Sequence, residues 1–170
     1  MDKKTLYTEA YRMLERSTPL AIDCGSLCGK ACCQPGKEET GMYLFPGEEI
    51  MYEEKPDWMK IKKVNGFVNN SNKINLLICQ GRCERSLRPL ACRIFPLTPY
   101  LRSNDILQIR MDPRAAILCP LVRHSNPNRL HRRFKKDVLV VFRMLMADGE
   151  IKEYIEGLSR MLDEYTQLLR

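Results

Sequence analysis

Cys24-Gly25-Ser26-Leu27-Cys28-Gly29-Lys30-Ala31-Cys32-Cys33 sets four thiols within ten residues. Four more follow far downstream: Cys79, Cys83, Cys92 and Cys119. Cys24, Cys28 and Cys32 recur at every fourth position, so on a helix they share one face, with neighbouring Cβ atoms about 5–6 Å apart. Thiolates on a single zinc ion sit roughly 3.8 Å from each other, by tetrahedral geometry on a bond of about 2.3 Å. Side chains that lean together close that gap. Cys33 points about 100° away from Cys32 on a regular helix. Either it serves another metal, or the helix unwinds there. Gly25 and Gly29 weaken a helix, yet they admit backbone N–H groups close to sulfur. Pro35-Gly36 closes the block.

Eight cysteines in 170 residues need a reason. A chain of this length buries about two-thirds of its unfolded surface, so it folds without staples. The start, Met1-Asp2-Lys3-Lys4-Thr5-Leu6-Tyr7-Thr8-Glu9, carries acids early and no apolar run, unlike a secretory signal. The longest clean apolar run, Val138 to Phe142, is far short of a membrane span. Both features point to the cytoplasm, no membrane partner and reduced thiols, which favours metal over a disulfide framework. At 44% hydrophobic and 29% charged the composition is globular, and residues 1–170 read as one domain. The formal charge of +7 counts the thiols as neutral. Metal ligation needs thiolates, and eight of them around two divalent centres would cancel more than half of that excess. The basic pI is therefore weak evidence for nucleic acid.

The periodicity predicts a helix over residues 3–16 with Leu6, Ala10, Met13 and Leu14 on its packed face, ended by Ser17-Thr18-Pro19. Tyr7 and Tyr11, one turn apart, read as the edge of the core. Met42 to Phe45 is a short strand. Pro46-Gly47-Glu48-Glu49-Ile50 opens a helix running to about Glu54, with Glu48, Glu49, Glu53 and Glu54 read as solvated charge rather than as a catalytic carboxylate. Trp58 to Val64 and Ile74 to Cys79 are strands around an Asn- and Gly-rich turn. Cys79 and Cys83 bracket a tight loop, and Pro89 and Pro96 frame a short irregular or helical piece holding Cys92. Ile106 to Met111 is a further strand. Asn126-Pro127-Asn128 caps a helix from about Arg129 to Met146, with Leu130, Phe134, Val138, Val141, Phe142 and Leu145 on one face. A last helix, Glu150 to Leu169, carries an almost regular apolar seam. The sum is an α+β chain: a metal-organised domain with short antiparallel strands, a cysteine core over 20–121 and a helical hairpin over 126–170. The seam of the last helix offers either a packing face or a homodimer contact.

Cys24-x3-Cys28-x3-Cys32-Cys33, then Gly81-x-Cys83, then Arg88-Pro89-x2-Cys92-Arg93-x-Phe95-Pro96 resembles the cysteine-cluster family described as a zinc- or iron-chelating domain, the CxxCxxCC or YkgJ-like family. The resemblance covers residues 20 to about 121, and Cys119-Pro120 is similar to the late Cys-Pro of some members. This chain departs from the family between the Gly-x-Cys and the Arg-Pro. A tyrosine is usual there, whereas Glu84-Arg85-Ser86-Leu87 has none and is one residue shorter. The resemblance implies metal binding. A flagellin lysine methylase is similar in its cysteine block, an analogy that keeps a protein-modifying enzyme among the readings.

All-thiolate sites suit zinc or iron–sulfur clusters. The x3 spacings match neither the short knuckles of zinc ribbons nor the ferredoxin run, so spacing leaves the metal open. Two groupings also stay open. One follows chain order: Cys24, Cys28, Cys32 and Cys33 in one site, and Cys79, Cys83, Cys92 and Cys119 in the other. The second interleaves the blocks, with Cys32 and Cys33 serving different centres. Arg82, Arg85, Arg88 and Arg93 read as compensation for thiolate charge, or as an anion site beside it. His124 is a spare ligand or a surface residue, and His131 a surface residue. Arg129, Arg132, Arg133, Lys135 and Lys136 put cations at a helix start, against its dipole, which leaves a nucleic-acid or protein adaptor as a further reading. No P-loop, Ser-His-Asp order or dinucleotide fingerprint is present.

Overall fold

A computed structural model describes residues 2–22, 24–34, 41–54, 56–66, 73–81, 83–123 and 130–168. The expectations for Arg82, His124, Pro35-Gly36, the 126–128 cap, Arg129 and Leu169 lie outside those residues. The fold is α+β, with short antiparallel strands and two helices at its C-terminal end.

Helix α1, Lys3–Met13, begins where the Asp2 carboxylate accepts from the Thr5 N–H at 3.0 Å, so an orphan donor of the first turn is satisfied. Its inner face, Leu6, Tyr7, Ala10 and Tyr11, is buried. After the cysteine block, β1 (Met42–Tyr43), β2 (Met59–Asn65) and β3 (Lys73–Cys79) form one antiparallel sheet in the order β1-β3-β2. Met42 pairs with Leu77 and Met59 with Cys79, which puts a thiol at the end of the central strand. Leu44, Tyr52, Met59 and Leu77 form a small core under this sheet, and Cys79 packs against it.

A short helix α3 (Leu90–Ile94; α2, Gly25–Cys28, lies in the cysteine block) leads into a second sheet, β4 (Leu97–Leu101) against β5 (Leu107–Met111). β4 carries Pro99, paired with Ile109. A two-stranded sheet has two open edges, and a proline without an N–H is tolerated there. A 3₁₀ turn, Pro113–Ile117, then delivers Cys119 to the start of α4 (Pro120–Arg123). Helices α5 (Arg132–Leu145) and α6 (Gly149–Leu168) close the main core. Phe134, Val138, Val141, Phe142 and Leu145 of α5 are buried, as the 3.6-residue pattern requires. Met146 to Asp148 separate the two helices, and Gly149 is the first residue of α6. Asp148 caps it by accepting from the N–H groups of Glu150 and Ile151 at 3.0 and 3.2 Å.

Ile151, Tyr154, Ile155, Leu158 and Leu162 of the α6 seam are buried within this chain's own core. Ser159 joins the helix to the second sheet, since its hydroxyl accepts from the Leu101 N–H at 2.8 Å and donates to the Ile155 carbonyl at 2.7 Å. No helix among the described residues is long and apolar enough to cross a membrane.

Candidate metal centre

The cysteine block is not one continuous helix. α2 spans only Gly25–Cys28. Gly29 and Lys30 then both turn left-handed, at φ 59° and 57°, and a 3₁₀ turn covers Ala31–Cys33. Gly29 takes that conformation without cost, and the lysine beside it does so against its Cβ. The i, i+4, i+8 face expected of Cys24, Cys28 and Cys32 therefore ends at Cys28. The left-handed joint swings Cys32 and Cys33 into a second direction. The Cys33 N–H donates back to the Lys30 carbonyl at 2.7 Å, which holds that turn closed.

The joint sends the thiols toward two adjoining cavities. Cys24, Cys28, Cys32 and Cys119 line a narrow one of about 40 Å³, with apolar walls that include Leu27, Phe95 and Leu118. Cys32, Cys33, Cys79, Cys83 and Cys92 line a wide one of about 480 Å³, with Met42, Trp58 and Arg88 beside them. Cys32, Phe95 and Leu118 belong to both and form the wall between. β3 supplies Cys79, the loop after it Cys83, α3 Cys92, and the turn after residue 117 Cys119. Elements distant in sequence thus bring all eight thiols to one region.

The eight are all among the described residues, and none is in a disulfide. Cys119 is buried and Cys32 exposed, with the rest between. Cys32 Sγ and Cys33 Sγ are 3.9 Å apart, at the wall that the two cavities share. Cys28 Sγ lies 3.8 Å from the Cys24 carbonyl oxygen, to which the thiol donates. Among the described residues no three Cys, His, Asp or Glu side chains stand close enough together to hold an ion as placed. The sulfurs surround the two spaces rather than meeting at a point. By chemistry the donor set is soft and wholly thiol, which fits zinc or an iron–sulfur centre and no hard cation.

Part of Cys92 reaches the surface, but burial of its sulfur, then Cys33, Cys79 and Cys83, raise its pKa, while Arg88 opposes them. The Cys32 thiol is raised by its bond to Cys33, by burial, and by the charges of Cys33, Cys28 and Cys24. Crowded thiols in a dry setting resist ionising until a cation balances them. Arg88 donates from Nε to Cys83 Sγ at 3.4 Å. Burial works against its charge, yet the bond to Cys83 and the thiols Cys83, Cys33 and Cys92 keep its pKa above the ordinary guanidinium value. Of the arginines expected to balance thiolates, Arg88 is the one seen on sulfur among the described residues. Arg85 donates instead to the carbonyls of Glu15, Leu14 and Ser17, tying the end of α1 to the loop after Cys83. Arg93 is 3% exposed and donates to the Arg88 and Ser86 carbonyls at 2.6 and 2.8 Å, with its guanidinium 4.2 Å above the Tyr11 ring.

The reading of Glu48 as solvated charge is overturned. It is completely buried. Its carboxylate accepts from Tyr11 Oη and the Leu90 N–H at 2.7 Å each and from the Phe45 N–H at 2.9 Å. Tyr11 and Tyr52 share a further hydroxyl contact of 2.7 Å. Glu48 thus fastens α1, the 3₁₀ turn Glu48–Tyr52 and the start of α3 together, just behind Cys92. The sequence signal was slight: a glutamate directly after Gly47 in a Pro-Gly turn. The basic residues of α5, Arg132, Arg133, Lys135 and Lys136, are exposed on the side away from Phe134 and Val138, and Arg133 faces Asp137 at 3.7 Å. His131 is exposed and stands at the N-cap of α5. Compared with family models, with curated proteins and with solved structures, the chain matches none.

Proposed function

We propose that this chain is a cytoplasmic thiolate metal-binding protein, holding zinc or an iron–sulfur centre through Cys24, Cys28, Cys32, Cys33, Cys79, Cys83, Cys92 and Cys119. One observation carries the reading: thiols from two distant blocks, separated by a whole sheet, line the same pair of adjoining cavities. Packing alone does not call for eight thiols there, because the main apolar core is built largely by α1, the second sheet, α5 and α6, with Cys119 the one cysteine buried in it and Cys24 packed against it. Soft, reduced thiols at that density select thiophilic metals. Arg88 supplies the outer contact that such ligands take, an N–H group aimed at sulfur.

A second reading, an iron–sulfur-dependent redox or protein-modifying enzyme, draws on the width of the larger cavity. Its volume, about 480 Å³, is in the range of small-molecule sites, and Trp58 and Arg88 stand at its wall beside the thiols. Such a site has space for a substrate next to the centre.

The test is direct. The protein is purified without air, iron, zinc and acid-labile sulfide are measured per chain, and the visible spectrum is recorded. Bound metal lost on Cys→Ser substitution supports the proposal. Matched iron and sulfide with a brown colour selects the cluster, and zinc alone selects the ion. A fully folded chain with no metal overturns it.

A further inference from the structure

We propose that the chain carries two centres of unlike kind, interleaved in sequence: a single thiophilic ion held by Cys24, Cys28, Cys32 and Cys119, and an iron–sulfur cluster held by Cys33, Cys79, Cys83 and Cys92. This rests on the thiolate-metal reading above and deepens it.

The partition comes from which thiol faces which space. Cys24, Cys28 and Cys119 line the narrow cavity alone, and Cys33, Cys79, Cys83 and Cys92 line the wide one alone. Cys32 faces both, and it completes the narrow set to four, leaving four for the wide one. The left-handed pair Gly29–Lys30 is the device that separates the neighbours. It ends the first helical turn after Cys28 and re-aims the next, so adjacent residues in sequence reach different spaces.

The difference in kind comes from room. The narrow cavity, about 40 Å³, has less than a tenth of the volume of the wide one. It has room for one ion among its sulfurs and is small for several irons with bridging sulfides. The wide cavity, about 480 Å³, accepts them. A cluster also holds its thiolates farther apart than one ion does, because metals lie between them, and that suits sulfurs spread around a space. Closure on the ion asks the cysteine block to draw inward. Little burial holds the block where it stands, since Gly25 is the sole buried residue of Gly25–Cys28 and Ala31–Cys33 has none. Arg88 on Cys83 stands over the wide set, where it offsets the negative charge of a four-thiolate cluster.

Single Cys→Ser variants decide it, prepared without air and supplied with zinc, ferrous iron and sulfide, with circular dichroism as the control for folding. The readouts are metal and sulfide per chain and the visible spectrum. Cys24→Ser, Cys28→Ser, Cys32→Ser and Cys119→Ser are expected to lose the single ion and keep the colour and the sulfide. Cys33→Ser, Cys79→Ser, Cys83→Ser and Cys92→Ser are expected to lose colour and sulfide and keep the ion. Cys119 is buried, so should Cys119→Ser not fold, the half-buried Cys24 reports on the same centre. The decisive pair is Cys32→Ser against Cys33→Ser, which must fall in different classes. If both fall with Cys24 while Cys119→Ser falls with Cys79, chain order holds and the partition is overturned. Two ions of one kind overturn the difference in kind. A wild-type chain that takes no metal overturns the underlying reading instead.

Discussion

Glu48 shows how much one buried carboxylate organises. Three hydrogen bonds and complete burial place its charge where desolvation dominates. Burial raises its pKa above the ordinary carboxylate value, against the pull of the Leu90, Tyr11 and Phe45 bonds and of nearby Arg93. The folded state therefore binds the proton more tightly than the unfolded chain. Its contribution is best near and below the unfolded value, about 4.3, and is lost as pH rises through the raised folded value. Urea midpoints measured between about pH 5 and about pH 8 should fall with pH for this reason. Glu48→Gln cannot ionise, so that slope should flatten. It also turns an amide nitrogen toward a backbone N–H, and should lower stability by about 1–3 kcal/mol at its best pH. An unchanged slope in Glu48→Gln would assign the pH dependence to another group. None of this is visible in the run Glu48-Glu49, where one acid is buried and the next is exposed, because only the docking of α1 and α3 distinguishes them.

At the scale of elements, the positions where chains approach closely set the strictest limits. Gly41 precedes β1, and a Cβ there would meet the backbone of Leu77 on the central strand, 2.9 Å from its carbonyl carbon and closer to its oxygen. Backbone cannot yield as a side-chain tip does. Gly41→Ala should therefore push β1 off β3 and lower the urea midpoint by an amount equivalent to about 1–3 kcal/mol. Gly41 also lines the wide cavity, so on the thiolate reading the same variant should weaken metal retention there, which a chelator competition reads. A variant as stable as the parent would show that β1 moves without cost. Legibility at this scale followed local pattern. α1, α5, α6, β2 and β3 lie where period 3.6 or period 2 put them, within a few residues. β4 was invisible because Leu97-Thr98-Pro99-Tyr100-Leu101 reads as a proline-broken loop, and only its pairing with β5 makes it a strand. The cysteine block misled in the opposite sense. Its fourfold rhythm predicts a continuous helix, but helix propensity across two glycines is low, and the chain turns left-handed at Gly29 and Lys30.

At the scale of the molecule, the apolar core meets the thiol region at Cys119, which is buried in the main core, and at Cys24 and Cys79, which pack against the two core clusters. Phe142, Val141 and Val138 of α5 and Ile151 and Ile155 of α6 are fully buried, and Phe45 meets the Phe142 ring at 5.2 Å between centroids. Fully burying one such side chain contributes about 1.5–3 kcal/mol, so this core carries a large stabilisation of its own. The cysteine turns, by contrast, bury almost nothing. On the thiolate reading, removing metal with a chelator under reducing conditions should leave most of the helical circular dichroism and a cooperative melt. The segment over 24–33 should become the first site of proteolysis. Complete unfolding on chelation, as in domains organised by zinc alone, would show that the core and the centre are one unit.

The sequence alone determined the thiol inventory, the α+β class and the long amphipathic helices, because composition and hydrophobic period are properties of a local stretch. It also carried the resemblance, in Cys24-x3-Cys28-x3-Cys32-Cys33 and the Arg88 to Pro96 string. It left open which sulfurs share a space, and it could not tell Glu48 from Glu49. Those were decided only by the tertiary structure. β3, α3 and the turn before Cys119 converge from distant points in the chain, and burial and facing depend on what arrives opposite rather than on what lies beside a residue in sequence.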